Sequence, residues 1–372
     1  IYQNASFICG YDCRMWRFAE LLEIDPSFSV SLGEGDTPLL TATSPQLTLP
    51  GGPTICFKAE YQNPTGSFKD RIAAMATAII ARDQLLGAVG TSSGNGGAAI
   101  AAYGARAGFP VTLFTVAGIV DGKLQQILAH GALANIVSEL GSAFDGVESV
   151  AQTIATMAAD EGWLAFLTGG RYAPEAMRGA ETIAYELSEQ RPTATAVYIP
   201  VGGGGLMASI WRGYQRLRPG DTMPRLVGVQ PDGCPTLNRA LAGSFDPLDG
   251  ALTTTISGLQ VPVLFDFDAT TAITDSGGHV VEVADQQAWD AQRILARHEG
   301  LYVEPAGATA LAGVLADLER GALSADDEVI VVLSGAGHKD AVAATRLGEG
   351  NPSRHIAAGD IKSVLTEIGV SP

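Results

Sequence analysis

Lys69 stands inside the nonapeptide Asn63-Pro64-Thr65-Gly66-Ser67-Phe68-Lys69-Asp70-Arg71, with patterned apolar residues on both sides. Thr54–Glu60 alternates loosely and predicts a strand. Ile72, Ala76, Ile79 and Ile80 recur at helical spacing and predict a helix that runs to about Asp83. Pro64 and Gly66 make the turn between them, and Ser67 is the expected N-cap. A lysine is thus held in the first turn of a helix, where the positive dipole end and desolvation both oppose the ammonium form. Schiff-base chemistry needs such a lysine, because only the neutral amine attacks a carbonyl. Taken alone, however, Phe68-Lys69-Asp70 is better read as an exposed lysine in a charged turn.

Two glycine-rich turns add chemistry. Gly202, Gly203, Gly204 and Gly205, followed by Leu206, lie between an apolar strand and a helix. Backbone N–H groups can converge there without Cβ obstruction, and the helix start favours a dianion, so a phosphate site is expected. A tight turn that needs glycine only for packing is the plainer alternative. Gly203-x-Gly205-x-x-Ala208 also meets a relaxed dinucleotide fingerprint, with Asp232 as a ribose ligand, but that reading leaves the lysine motif unexplained. Ser92, Ser93, Gly94, Asn95 and Gly96 open a second helix, where backbone amides can receive a carboxylate. Ser334 ends an apolar strand; a turn serine without a ligand is an equal reading of it.

The nonapeptide resembles the lysine motif of fold-type II pyridoxal-phosphate (PLP) enzymes, the tryptophan synthase β-like superfamily, and most closely its threonine synthase branch. Ser31–Leu40, Thr91–Gly97, Val201–Leu206, Val303–Ala310 and Val331–Asp340 match further blocks in the family's order. The resemblance implies that Lys69 carries pyridoxal 5'-phosphate and acts as general base, with Phe68 beside it. It places the cofactor phosphate on Gly202, Gly203, Gly204, Gly205 and Leu206, and the 3′-oxygen on Asn95. Ser334 corresponds to the hydroxyl residue at the pyridine nitrogen, a neutral partner that suits elimination and replacement better than transamination. Ser92, Ser93, Gly94 and Gly96 correspond to the loop for the substrate α-carboxylate, and Ser93 to a proton carrier in racemase and dehydratase relatives. Glu304 matches an acidic position near the cofactor and is equally a helix cap. Lys339 and Asp340 read as a helix-start ion pair. The chain departs from threonine synthases in two places. They usually carry asparagines in the glycine loop and more often threonine at the position of Ser93, whereas the run Gly202–Leu206 resembles serine and threonine dehydratases.

The elements that must position these residues alternate. Strands are predicted at Gly87–Thr91, Pro110–Val116, Leu133–Glu139, Trp163–Leu167, Ala194–Pro200, Arg225–Gln230, Val280–Val283 and Glu328–Leu333. Helices fall between them at Ala98–Ala107, Asp121–His130, Phe144–Asp160, Pro174–Glu189, Leu206–Leu217, Asp285–His298 and Glu304–Leu318. Residues 250–262 are expected to be a loop, and Tyr11–Phe18 an N-terminal helix. This order predicts an α/β fold of two domains, each a mainly parallel sheet flanked by helices. Residues 1–86 and 173–350 are expected to form the larger, PLP-binding domain and 87–172 the smaller one, with 351–372 as an appendage.

Composition narrows the function class. The 372 residues are 46% hydrophobic and 17% charged, enough for a large core, and carry a net charge of −17 with no basic stripe, which argues against nucleic acid and anionic membranes. No apolar run reaches a membrane-spanning length and no signal pattern opens the chain. Cys9, Cys13, Cys56 and Cys234 do not complete a metal site, so no metal and free thiols are expected in a cytoplasmic protein. The resemblance implies a homodimer acting on a small amino-acid substrate. The expected function is elimination or elimination–addition on a small amino acid, O-phosphorylated ones included. The alternatives are a serine/threonine dehydratase-type ammonia-lyase, a β-replacement enzyme of secondary metabolism, and a non-catalytic PLP-binding protein.

Overall fold

In the computed structural model, which describes residues 14–92, 94–138, 144–217, 223–248, 252–351 and 353–368, the strands sort into two sheets. Strands β1 (Leu39–Thr41), β2 (Thr54–Lys58), β7 (Ala196–Pro200), β8 (Arg225–Pro231), β9 (Val280–Val283) and β10 (Glu328–Val332) form one sheet, in the order β1-β2-β10-β7-β8-β9. Strands β3 (Ala88–Thr91), β4 (Val111–Val116), β5 (Leu133–Val137) and β6 (Leu164–Phe166) form the other, in the order β5-β4-β3-β6. Every pairing is parallel except β1 with β2. The α/β architecture with helix-flanked parallel sheets expected from the alternation is the one observed.

Both faces of the larger sheet are covered. Val197, Ile199, Ile330 and Val332 join one apolar cluster with Ile72, Ile79 and Ile183, while Tyr198, Val329 and Val331 join another with Leu311 and Val314. Helices Lys69–Asp83 and Pro174–Gln190 therefore pack on one face and helix Pro305–Glu319 on the opposite one. Burial on two sides explains why β7 and β10 read as continuous apolar runs rather than as alternating strands. Each large aliphatic side chain buried there contributes about 1.5–3 kcal/mol.

Several local expectations are corrected. Ser67 does not cap the lysine helix: its hydroxyl is buried without a partner, and Phe68 occupies the N-cap position. Asp70 instead reaches back from the first turn and accepts from the Thr65 N–H (2.8 Å) and hydroxyl (2.6 Å). The second glycine-turn helix starts at Asn95, three residues before its predicted start, which makes Asn95 a helix-start residue. Lys339 and Asp340 form no pair with each other. Asp340 caps helix Ala341–Gly348 by accepting from the Ala343 N–H, and buried Lys339 donates to the Thr65 carbonyl and to Gln126. The structure adds helices Thr236–Leu241, Asp268–Ser276 and Ala341–Gly348 to those expected from the sequence. The added helices span only six, nine and eight residues, too short for the helical period to repeat clearly. Ser93, Cys9 and Cys13 lie outside the described residues.

Candidate active site

In parallel sheets, ligands collect beyond the carboxyl ends of the strands, where helix N-termini point. Here the segments that follow β2, β3, β6, β7 and β10 converge on one cavity of about 290 Å³, to which both sheets contribute. Its wall includes Phe68 and Lys69, Ser92, Gly94 and Asn95, Thr168, Gly203, Gly205 and Leu206, Glu304 and Ser334. Residues read from five separate stretches of sequence thus share a wall. Gly202 and Gly204 do not line it and belong to the turn that carries Gly203 and Gly205, and Gly96, in the first turn of helix Asn95–Ala107, does not line it either.

Lys69 opens its helix, and its Nζ donates to the Thr168 hydroxyl at 2.8 Å and lies 4.8 Å from the centre of the Phe68 ring. The side chain is half-buried and its remaining surface lines the cavity. Desolvation pushes its pKa down from 10.5 to about 7, so much of the amine is neutral at physiological pH. Beneath it, Arg71 is fully buried between Glu60 (2.7 Å) and Glu186 (2.6 Å), and Lys58 pairs with Glu186 at 2.6 Å. Two cations and two carboxylates cancel there. This network pins the first turns of the lysine helix to helix Pro174–Gln190.

The glycine turn after β7 runs into helix Gly205–Leu217. Gly204 has a φ of +87°, and a Cβ there would stand 2.8 Å from the Asp266 carbonyl, so only glycine fits. The Gly203 carbonyl accepts from the N–H groups of Phe265 and Asp266, both at 3.0 Å, which anchors the turn ahead of the helix start. Unpaired donors at a helix N-terminus are a dianion site. On the opposite wall, the Ser92 hydroxyl accepts from the Gly97 N–H (2.7 Å) and the Gly94 N–H (3.3 Å), acting as a cap for helix Asn95–Ala107. Its oxygen is engaged by the loop itself, so the remaining N–H groups at that helix start are the donors available to a carboxylate.

Asn95 Nδ2 donates to Glu304 Oε1 at 2.6 Å, and Asn95 Oδ1 is buried without a partner. Glu304 stands at the start of helix Pro305–Glu319 but makes no side-chain cap; its carboxylate turns to the cavity instead. Lys123 Nζ lies 3.1 Å from Glu304 Oε2, without the alignment of a hydrogen bond, and donates to the Ser257 hydroxyl at 3.2 Å. A Cβ on Gly94 would come within 2.6 Å of Lys123 Cδ, so glycine at 94 lets the lysine stem cross the loop. Ser334 lines the cavity, and its carbonyl accepts from the Phe68 N–H at 3.2 Å, joining the end of β10 to the lysine turn. Sequence reasoning missed Thr168 and Lys123. Neither sits in a motif, and each acquires its partner from a segment more than 90 residues away.

This set fits PLP. The cavity has a lysine that is easily neutral, a glycine-lined helix start for the phosphate, and an orphaned acceptor on Asn95 beside them. The chain belongs to the pyridoxal-phosphate dependent enzyme family, whose sequence profile matches residues 30–335. It is 33% identical to threonine synthase of Methanocaldococcus jannaschii over 367 residues, covering 95% of this chain and 87% of that protein. Threonine synthase of Mycobacterium leprae is 33% identical over 84% of each chain. Among solved structures, the processed form of threonine deaminase isoform 2 from Solanum lycopersicum shares the fold, with a TM-score of 0.72 at 22% identity over 90% of this chain and 92% of that one. The cofactor is accordingly pyridoxal 5'-phosphate. Among the described residues no helix is long and apolar enough to cross a membrane.

Proposed function

We propose that the protein catalyses elimination, or elimination followed by addition, on a small α-amino acid, in the manner of a threonine synthase. The observation that carries this reading is the meeting of Lys69, the Gly203–Leu206 helix start, Asn95 and Ser334 around one cavity. When bound there, PLP draws electrons from the substrate carbon that bears the amino group, which frees that carbon's proton and a β- or γ-substituent. Lys69 holds the cofactor and, as a neutral amine, takes up the α-proton. Gly202–Leu206 bind the phosphate, and the N–H groups behind Ser92, Gly94 and Gly96 bind the α-carboxylate. Ser334 offers the ring nitrogen a hydroxyl rather than a carboxylate, so it does not hold a proton there. Ser93 is assigned the same carboxylate loop by its place in the sequence. The two sheets support a division into a smaller domain at 87–172 and a larger one at 1–86 and 173–350.

The run Gly202–Leu206, which resembles that of the dehydratases, favours a second reading, an ammonia-lyase acting on serine or threonine. A panel of O-phosphohomoserine, O-phosphoserine, serine and threonine tests both. Inorganic phosphate with a hydroxyamino acid product supports the synthase reading, and ammonia with an α-keto acid supports the dehydratase. No turnover of any member by the PLP-loaded protein would reject both and leave a binding protein.

A further inference from the structure

Lys69 and Thr168 are 99 residues apart and belong to different halves of the molecule. Lys69 opens a helix packed on the six-stranded sheet, and Thr168 follows β6 of the four-stranded sheet. Their 2.8 Å hydrogen bond crosses the cavity wall, and both residues line it. The titratable groups that share this wall are Lys123 from helix Asp121–Ala129, Glu304 ahead of helix Pro305–Glu319, and Tyr172 beyond Thr168. The nearest carboxylate in sequence, Asp70, is turned away from the cavity onto Thr65. Glu304 is engaged with Asn95 and Lys123. The hydroxyl of Thr168 is thus the group placed to receive the lysine amine.

We propose that Thr168 is a positioning residue for Lys69, its hydroxyl receiving the amine whenever that amine is not bonded to the cofactor and aiming it across the cavity. This rests on the reading of Lys69 as the cofactor lysine. A hydroxyl can accept from an ammonium or donate to a neutral amine, so the contact survives both protonation states. It is stronger with the charged form, because that hydrogen bond is charge-assisted. Thr168 therefore opposes the desolvation that drives the proton off and keeps the amine able to take up a proton and give it back.

The test uses the full chain stripped of cofactor. Pyridoxal 5'-phosphate is added across a pH range of about 5 to 10 that brackets the amine. The adduct is trapped with borohydride and located by peptide mass. The wild-type protein should be modified at Lys69 with a midpoint near its pKa of about 7. Thr168→Val keeps the shape and loses the hydroxyl. Its midpoint should fall by about one pH unit, making Lys69 more reactive in mild acid, while Thr168→Ser should match the wild type. If the valine variant does not fold, Thr168→Ala replaces it with the same expected shift. An unchanged midpoint in the hydroxyl-free variant, with Lys69 still the modified residue, overturns the role of Thr168 alone. Modification of another lysine in the wild type overturns the reading of Lys69 and this inference with it.

Discussion

Asn95 and Glu304 meet at 2.6 Å, Nδ2 to Oε1, and so join the first residue of a helix on the smaller sheet to the residue that opens a helix on the larger one. Lys123 stands on the other oxygen of the same carboxylate. Lys123 and Glu304 are 1% and 2% exposed, so either charge left alone would be stranded out of water. Lys123→Met and Glu304→Gln are each expected to cost about 3 kcal/mol of stability. The double variant should lose less than the sum, by about 1–3 kcal/mol. Urea denaturation of the four proteins measures this, and strictly additive losses would show that the pair does not interact.

Lys69 carries a pH-dependent cost. Its folded pKa, about 7, lies below the ordinary 10.5. Within that window the unfolded chain binds a proton that the folded chain refuses, so stability rises with pH. The penalty is whole below the folded value and gone above the unfolded one. In the cofactor-free chain, Lys69→Met should therefore be more stable than wild type near pH ~6, by an upper bound of about 5 kcal/mol, and the gain should shrink toward pH ~10. The same variant should lose borohydride-stable cofactor. A stability difference that does not change with pH would contradict the burial of the amine.

Gly203 approaches Phe265, whose Cδ2 would stand 2.9 Å from an added Cβ. Gly203→Asp crowds that ring and sets a carboxylate against the phosphate. PLP affinity should fall at least tenfold, about 1.4 kcal/mol or more. Equilibrium titration of cofactor absorbance reads the effect, and an unaltered Kd in a folded variant would remove the phosphate from this turn.

Ser334→Asp should change the course of the reaction rather than the fold. A carboxylate at the end of β10 would favour a proton on the cofactor's ring nitrogen and strengthen its pull on electrons. Elimination should slow, and deuterium exchange at the α-carbon should rise relative to it, with an altered cofactor spectrum in the presence of an amino acid. Equal exchange-to-elimination ratios and equal spectra in the two proteins would place Ser334 away from the ring.

The parts legible in the sequence are those made by neighbours along the chain. Strand, glycine turn and helix follow one another from Thr54 to Asp83 around Lys69 and from Ala196 to Leu217 around Gly203, and apolar period with turn residues specifies such units locally. The covered parallel sheets follow from their alternation. Even there the cap differs from the expected one: the helix starts one residue after Ser67's neighbour Phe68, which leaves the Ser67 hydroxyl without a partner, while Asp70 secures the turn by reaching back to Thr65. What only the tertiary structure decided is which side chains from distant segments meet. Thr168 faces Lys69, Glu304 turns to Asn95 rather than capping its helix, Lys339 leaves Asp340 for Gln126, and Arg71 finds Glu186 across 115 residues. Each of these groups is polar and lies at least partly out of water, which favours taking a partner, but its own stretch of chain does not say which. The packing of the helices and loops that follow the strands brings the partners into reach.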